Sequence, residues 1–97
     1  MIQAQQREGK WEIRFEGDLD TARCVGLRKE IDDLLAQASL PLVFDLKGVN
    51  FVASSFLGIC TAMTQRAGPG KFAMINVGPM VKKVFKISGL DHVLVIE

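Results

Sequence analysis

Three segments whose apolar residues recur at helical spacing, set between apolar runs of strand length, constrain the fold of this chain more than any other feature. Between Asp20 and Ala38 the residues Cys24, Leu27, Ile31, Leu34, Leu35 and Ala38 stack along one side of a helix. Phe56, Ile59, Cys60, Met63 and Ala67 repeat that spacing, and Gly68-Pro69-Gly70 ends the segment. Gly78-Pro79 opens a third helix with proline at a tolerated first position; Met80, Val81, Val84 and Phe85 form its apolar side and Gly89 terminates it.

The runs between these helices read as strands. Trp11, Ile13 and Phe15 alternate with Glu12, Arg14 and Glu16, the pattern of a strand packed on one face and wet on the other. Its partner is the segment from Ile2 to Gln6, reached through a turn at Glu8-Gly9-Lys10. Leu40 to Val49 opens with consecutive apolar residues, as expected for a central strand covered on both faces. Lys71 to Val77 is a second buried strand, and residues 92–96 are the last. Helices that separate strands cross over the sheet, so the order predicts an α/β domain whose mixed sheet begins with an antiparallel hairpin. Residues 1–97 form one domain, with 48% hydrophobic residues to build a single core.

Charge narrows the function. Twelve Lys and Arg against 11 Asp and Glu leave a formal net charge of +1, which offers no general attraction to nucleic acid or anionic lipid. No run approaches the about 20 apolar residues that cross a bilayer, and MIQAQQREGK lacks the apolar stretch of a signal peptide. Cytoplasmic residence is the expectation, with Cys24 and Cys60 as buried reduced thiols at no metal-ligand spacing. No cofactor is expected. AGPGKF lacks the upstream glycine spacing and the hydroxyl residue of a phosphate loop, and it joins helix to strand. Hydrolysis would need a base beside a serine, but His92, the sole histidine, begins the last strand, and no G-x-S-x-G elbow occurs.

Local chemistry is readable at several points. Asp20 or Thr21 can cap the first helix, whose early Arg23, Arg28 and Lys29 oppose its dipole; pairing of Arg28 with Asp32 one turn on accounts for that order more simply than the alternative, a partner-facing surface. Asp45 reads as a satisfied strand-end or turn partner, and Lys82, Lys83 and Lys86 as a solvated helix face. FVASSFLGIC, residues 51–60, places two serines in an otherwise uncharged run. Ser54 falls where the second helix begins. Its hydroxyl can cap the helix by accepting from the N–H of Phe56 or Leu57. The same place, at the positive end of a helix dipole, also favours an anion, so a phosphate esterified to Ser54 would be tolerated there.

GDLDTARCVGLRKEIDDLL, LPLVFDLKGVNFVASSFLGIC and KFAMINVGPMVKKVFKISGLDHVLVI together resemble the three successive blocks of the STAS domain, above all the bacterial anti-sigma-factor antagonists. The most specific parts are G-x-L-D at Gly17 to Asp20, the strand-turn-serine block, and the ending from Ser88 to Ile96. The resemblance implies the STAS fold and a non-catalytic switch. The family block reads D-S-S/T-G-L-G, and its first serine, phosphorylated by an anti-sigma serine kinase of the GHKL type, matches Ser54; Ser55 is the alternative acceptor, and Leu57-Gly58 match the L-G. Ala53 stands where the family carries aspartate, a charged handle for kinase or phosphatase, and Phe56 stands where it carries glycine. The implied partner surface comprises Asn50, Phe51, Ala53, Ser55, Phe56 and Leu57, although Phe56 also has the spacing of an inward-packing residue. Unphosphorylated, such a protein docks on the kinase and frees a sigma factor. The competing expectation is a STAS adaptor docked on the ATPase of a phospholipid-transport ABC complex, or a STAS signalling module that is not phosphorylated.

Overall fold

The structure, a computed structural model, describes residues 2–35, 41–67, 71–90 and 95–97. The elements run β1 (Ile2–Arg7), β2 (Lys10–Glu16), α1 (Thr21–Leu35), β3 (Leu42–Gly48), α2 (Ser54–Ala67), β4 (Phe72–Ile75), α3 (Pro79–Ile87) and β5 (Val95–Ile96). One sheet takes the strands in chain order, with β1 antiparallel to β2 and every later pair parallel. The α/β architecture with an opening hairpin is therefore the one the sequence predicts. Leu34, Leu35, Ala38, Leu40, the Gly68-Pro69-Gly70 terminator and His92 were expected to contribute, but their side chains lie outside the described residues.

The hairpin turns more tightly than expected. Arg7 pairs with Lys10, so Lys10 already belongs to β2 and only Glu8 and Gly9 span the turn. Both have positive φ, 53° and 76°, as the two-residue turn that matches strand twist requires. Glycine adopts that region freely, whereas Glu8 does so against the clash of its Cβ.

Strands adjacent in both chain and sheet place their helices on one face when successive crossovers share the usual right hand. The core confirms it: Cys24, Leu27 and Ile31 of α1, Phe56, Ile59, Cys60 and Met63 of α2, and Val81 and Phe85 of α3 join a single buried cluster with Ile13, Phe15, Leu42, Phe44, Leu46, Phe72 and Met74. Among the described residues helices cover only one side of β3, correcting the expectation of a strand packed on both. Val43, Ala73 and Ile75 point to the other face and are half-buried by their neighbours in the sheet. On that face Asp45 is satisfied, as expected. It accepts from the Lys47 N–H at 3.0 Å and the Asn76 side-chain amide at 3.1 Å, and Arg14 Nε lies 3.6 Å away.

Phenylalanine rings tie the sheet to α2. Phe15 meets Phe44 edge-on at 4.8 Å and Phe56 at 5.5 Å, while Phe44 meets Phe72 edge-on at 4.8 Å. Such pairs add about 0.5–1.5 kcal/mol each to the area they bury. Beside them the free thiols of Cys24 and Cys60 are both buried, and burial, then the nearby Cys24, pushes the Cys60 thiol up and keeps it protonated.

The helices settle one alternative left open by the sequence and depart from expectation in two other respects. Asp20, rather than Thr21, caps α1, its Oδ1 accepting from the Arg23 N–H at 2.9 Å. Asp32 pairs not with Arg28 but with Arg66 of α2 at 2.9 Å, because packing α1 against α2 brings a cation nearer than one helical turn away. Met80 and Val84 of α3 are 71% and 36% exposed and join no core; with Gly78 and Pro79 setting the helix start, only Val81 and Phe85 face the sheet. Gly89 does end α3, at φ 80°.

Replacing Glu8 with asparagine, which tolerates positive φ, is expected to raise stability by about 0.5–1 kcal/mol in chemical denaturation. An unchanged or lower midpoint would show that the turn is unstrained at Glu8.

Candidate functional site

The site is built where β3 hands the chain to α2. Gly48 ends the strand, and Val49 turns back with its N–H on the Leu46 carbonyl at 3.0 Å. The crossing from Val49 to Ala53 is then held by the segment that leads into α1. The Gly17 N–H donates to the Gly48 carbonyl at 3.0 Å, the Leu19 N–H to the Phe51 carbonyl at 2.9 Å, and the Ala53 N–H to the Leu19 carbonyl at 2.8 Å. Leu19 and Val52 thereby form an isolated parallel bridge, and both side chains are buried. Gly17 has φ 79°, and a Cβ there would meet Arg23 Nη1 at 3.0 Å, so glycine suits the bend that lets the two segments approach.

This clamp sorts the side chains. With Leu19 and Val52 turned inward, Asn50 and Phe51 are turned out, Phe51 to 51% exposure. Ser54 is exposed and is the first residue of α2. The cap expected from its hydroxyl is not made, since among the described residues no hydrogen bond reaches it. The position before the helix belongs to Ala53, whose carbonyl accepts the Phe56 N–H at 2.9 Å, and a methyl group cannot cap. The first turn of α2 has no acidic residue, and among the described residues no side chain is hydrogen-bonded to its amides at the positive end of the dipole.

The other expected surface residues divide. Ala53, Ser55 and Leu57 are half-buried, and Leu57 packs against the core. The Ser55 hydroxyl oxygen is itself buried, and among the described residues it has no hydrogen-bond partner. Phe56 is fully buried among Phe15 and Phe44 and offers nothing to a partner, which corrects its place in the expected contact surface. Its inward fate follows from helical geometry: Phe56 shares a face with Ile59, Cys60 and Met63, and Ser54 lies about 200° around the helix from it.

Residues of α1 that the sequence reading missed complete the site. Thr21, Cys24, Val25 and Arg28 line, with Ser55 and Ile59, a groove of about 300 Å³ between α1 and α2. Val25 is 74% exposed. The signal that could have found it is an aliphatic residue off the Cys24-Leu27-Ile31 face, where solvent would favour a polar one. Among the described residues no group of three or more His, Cys, Asp or Glu could hold a metal ion, and no helix is long and apolar enough to cross a membrane.

An α/β sheet opened by an antiparallel hairpin, with an exposed serine at the mouth of its second helix, defines the class of fold to which the chain belongs. The chain belongs to the STAS family: the sequence model described as Mlab, STAS domain matches residues 2–96. It is 30% identical over 81 residues to an anti-sigma F factor antagonist of Lysinibacillus sphaericus, covering 80% of this chain and 69% of that protein. The crystal structure of an anti-sigma factor antagonist from Mycobacterium paratuberculosis superposes with a TM-score of 0.88 at 26% identity, covering 99% of this chain and 83% of that one. Unphosphorylated SpoIIAA, an anti-sigma factor antagonist, shares the fold at a TM-score of 0.82 and 23% identity, over 100% of this chain and 88% of its own.

Two substitutions check this geometry. Ala53→Asp supplies the missing cap and a charge suited to the dipole, and is expected to stabilise the fold by about 1 kcal/mol; no gain in denaturation midpoint would place the helix start elsewhere. Phe51→Ala is expected to leave stability within about 0.5 kcal/mol, whereas Phe56→Ala costs about 3–5 kcal/mol. Similar losses for the two would contradict the assignment of one ring to the surface and the other to the core.

Proposed function

We propose that this chain is an anti-sigma-factor antagonist, a cytoplasmic binding module without chemistry of its own that is switched by phosphorylation of Ser54. The observation that carries the reading is an exposed hydroxyl at the first position of α2, on a connection held rigid by backbone bonds and beside the outward ring of Phe51. Membership in the STAS family and similarity to antagonists of anti-sigma factors support it. Ser55 is the weaker acceptor candidate, because a kinase must reach an oxygen that here is buried.

In the unmodified state, Asn50, Phe51 and the half-buried Ala53, Ser55 and Leu57 offer a nearly uncharged surface on which an anti-sigma serine kinase of the GHKL type can dock, releasing its sigma factor. ATP belongs to that partner. Phosphorylation adds about −1.5 to −2 charges. Within this chain the dianion is favoured by the α2 N-terminus, so modification costs the fold little. Against the partner it must be desolvated without a matched cation, at a cost of several kcal/mol, and about 1.4 kcal/mol already weakens binding tenfold. A phosphatase would reset the switch.

The family model's own description, Mlab, favours a second reading, a STAS adaptor on the ATPase of a phospholipid-transport ABC complex. Only the first requires the phosphate.

Incubation with the candidate kinase and ATP, followed by mass spectrometry, is expected to place the phosphate on Ser54 and none on Ser55. In titrations Ser54→Ala should bind the kinase like the wild type, and Ser54→Asp more weakly. Equal affinity of wild type and both variants, or absence of modification, would refute the switch. Recovery of an ABC ATPase and no kinase in a pull-down would establish the adaptor instead.

A further inference from the structure

Three of the five large hydrophobic side chains exposed among the described residues, Met80, Val84 and Ile87, stand on the short helix α3, where Ile87 reaches 77% exposure. They recur at steps of four and three, so at about 100° per residue they fall within a stripe about 60° wide. A contiguous exposed stripe marks an interaction surface more often than scattered apolar residues do. Three lysines share the helix. Among the described residues none of Lys82, Lys83 and Lys86 is in an ion pair, and α3 itself has no acidic residue. Nor do these charges all serve the helix. Lys86 suits the C-terminal end of the dipole, but Lys82 stands in the first turn against it, one turn from the like charge of Lys86.

The arrangement around the helix axis indicates what would cover the stripe. The buried Val81 and Phe85 mark the inward direction, and Lys83 lies about 180° from their midpoint, pointing straight out. The apolar stripe is turned about 60° to one side of Lys83, with Lys86 and Lys82 about 60° and 100° to the other. A flat bilayer laid on α3 would meet a lysine before the stripe, whereas a second helix laid beside α3 meets the stripe directly. Such a helix can set its own apolar seam between Met80, Val84 and Ile87, which carry the spacing of a helix-packing seam, and bring one flank against Lys83 and Lys86. Charge complementarity then requires aspartate or glutamate on that flank. A second copy of this chain does not supply it: another α3 would bring three more lysines, and the apolar seams of α1 and α2 are already buried in the core.

We propose that α3 is a second docking surface, whose occupant is an amphipathic helix of a partner protein with an aliphatic seam and an acidic flank. The apolar stripe supplies contact area, and the lysines select the partner by charge and fix which way round it lies. None of these residues belongs to the surface around Ser54, so the inference does not rest on phosphorylation of that serine.

The test titrates the 15N-labelled protein with a three-heptad helical peptide that carries leucine at the seam and glutamate on the flanks, and with a companion peptide whose flanks are lysine. The acidic peptide is expected to bind, with amide shift changes concentrated at residues 79–88, and the basic peptide at least tenfold more weakly. Met80→Glu and Ile87→Glu, both at exposed positions and checked by thermal melting, should weaken the acidic peptide at least tenfold. Lys83→Glu should weaken it about fivefold and bring the affinity for the basic peptide up, whereas Lys29→Glu, the same charge change on α1, should bind as the wild type does. Failure of the acidic peptide to bind, equal affinity for both peptides, or shift changes away from α3 would overturn the proposal. So would co-sedimentation with phosphatidylcholine vesicles containing about 30% phosphatidylglycerol that Met80→Glu abolishes, which would assign the stripe to a membrane. A dimer in sedimentation equilibrium that Ile87→Glu dissociates would likewise overturn it, assigning the stripe to a second copy.

Discussion

Three backbone hydrogen bonds join the segment before α1 to the segment before α2: Gly17 to Gly48, Leu19 to Phe51, and Ala53 to Leu19. Two loops that would otherwise move independently become a short parallel pair, closed beneath by the buried side chains of Leu19 and Val52. The entrance to α2 is positioned by this pairing, and with it which residues are presented and which are withdrawn. A switch that depends on one phosphate needs such rigidity, because a charge on a yielding loop could swing away from an approaching surface at little cost.

Helical geometry then divides adjacent residues among different tasks. Each step along α2 rotates the side chain by about 100°. Ser54 faces solvent, Ser55 faces α1, and Phe56 faces the sheet, where it meets Phe15 and Phe44. The large ring that could have obstructed a partner instead fastens the first turn of the helix to the core.

Periodicity in the sequence was a sound guide to the elements and a weaker one to their surroundings. Cys24, Leu27 and Ile31, and likewise Phe56, Ile59, Cys60 and Met63, are buried as their spacing requires. The apolar run in β3 suggested cover on both faces, yet Val43 looks away from the helices, because strand order in the sheet decides where crossovers lie and a local run does not encode it. Arg28 and Asp32 had suitable spacing for a pair, but the nearer partner of Asp32 is Arg66, distant in sequence and adjacent only through packing of α1 on α2. Val25 was overlooked for a related reason. An isolated aliphatic residue on a helix exterior acquires meaning only when Ser55 and Ile59 are seen across the groove from it.

What the residues alone determined is the alternation of strand and helix, the single core, the hairpin and the location of a serine near the start of α2, all of which follow from spacings of two to four residues and from Gly and Pro at the breaks. What only the tertiary structure decided is that Ala53 rather than Ser54 precedes the helix, that the Phe51 ring is turned outward, and that α1 supplies four of the six residues lining the groove beside the serine pair. These depend on hydrogen bonds and contacts between segments some thirty residues apart, such as Leu19 with Phe51 and Ala53, whose geometry is set by chain closure rather than by local preference.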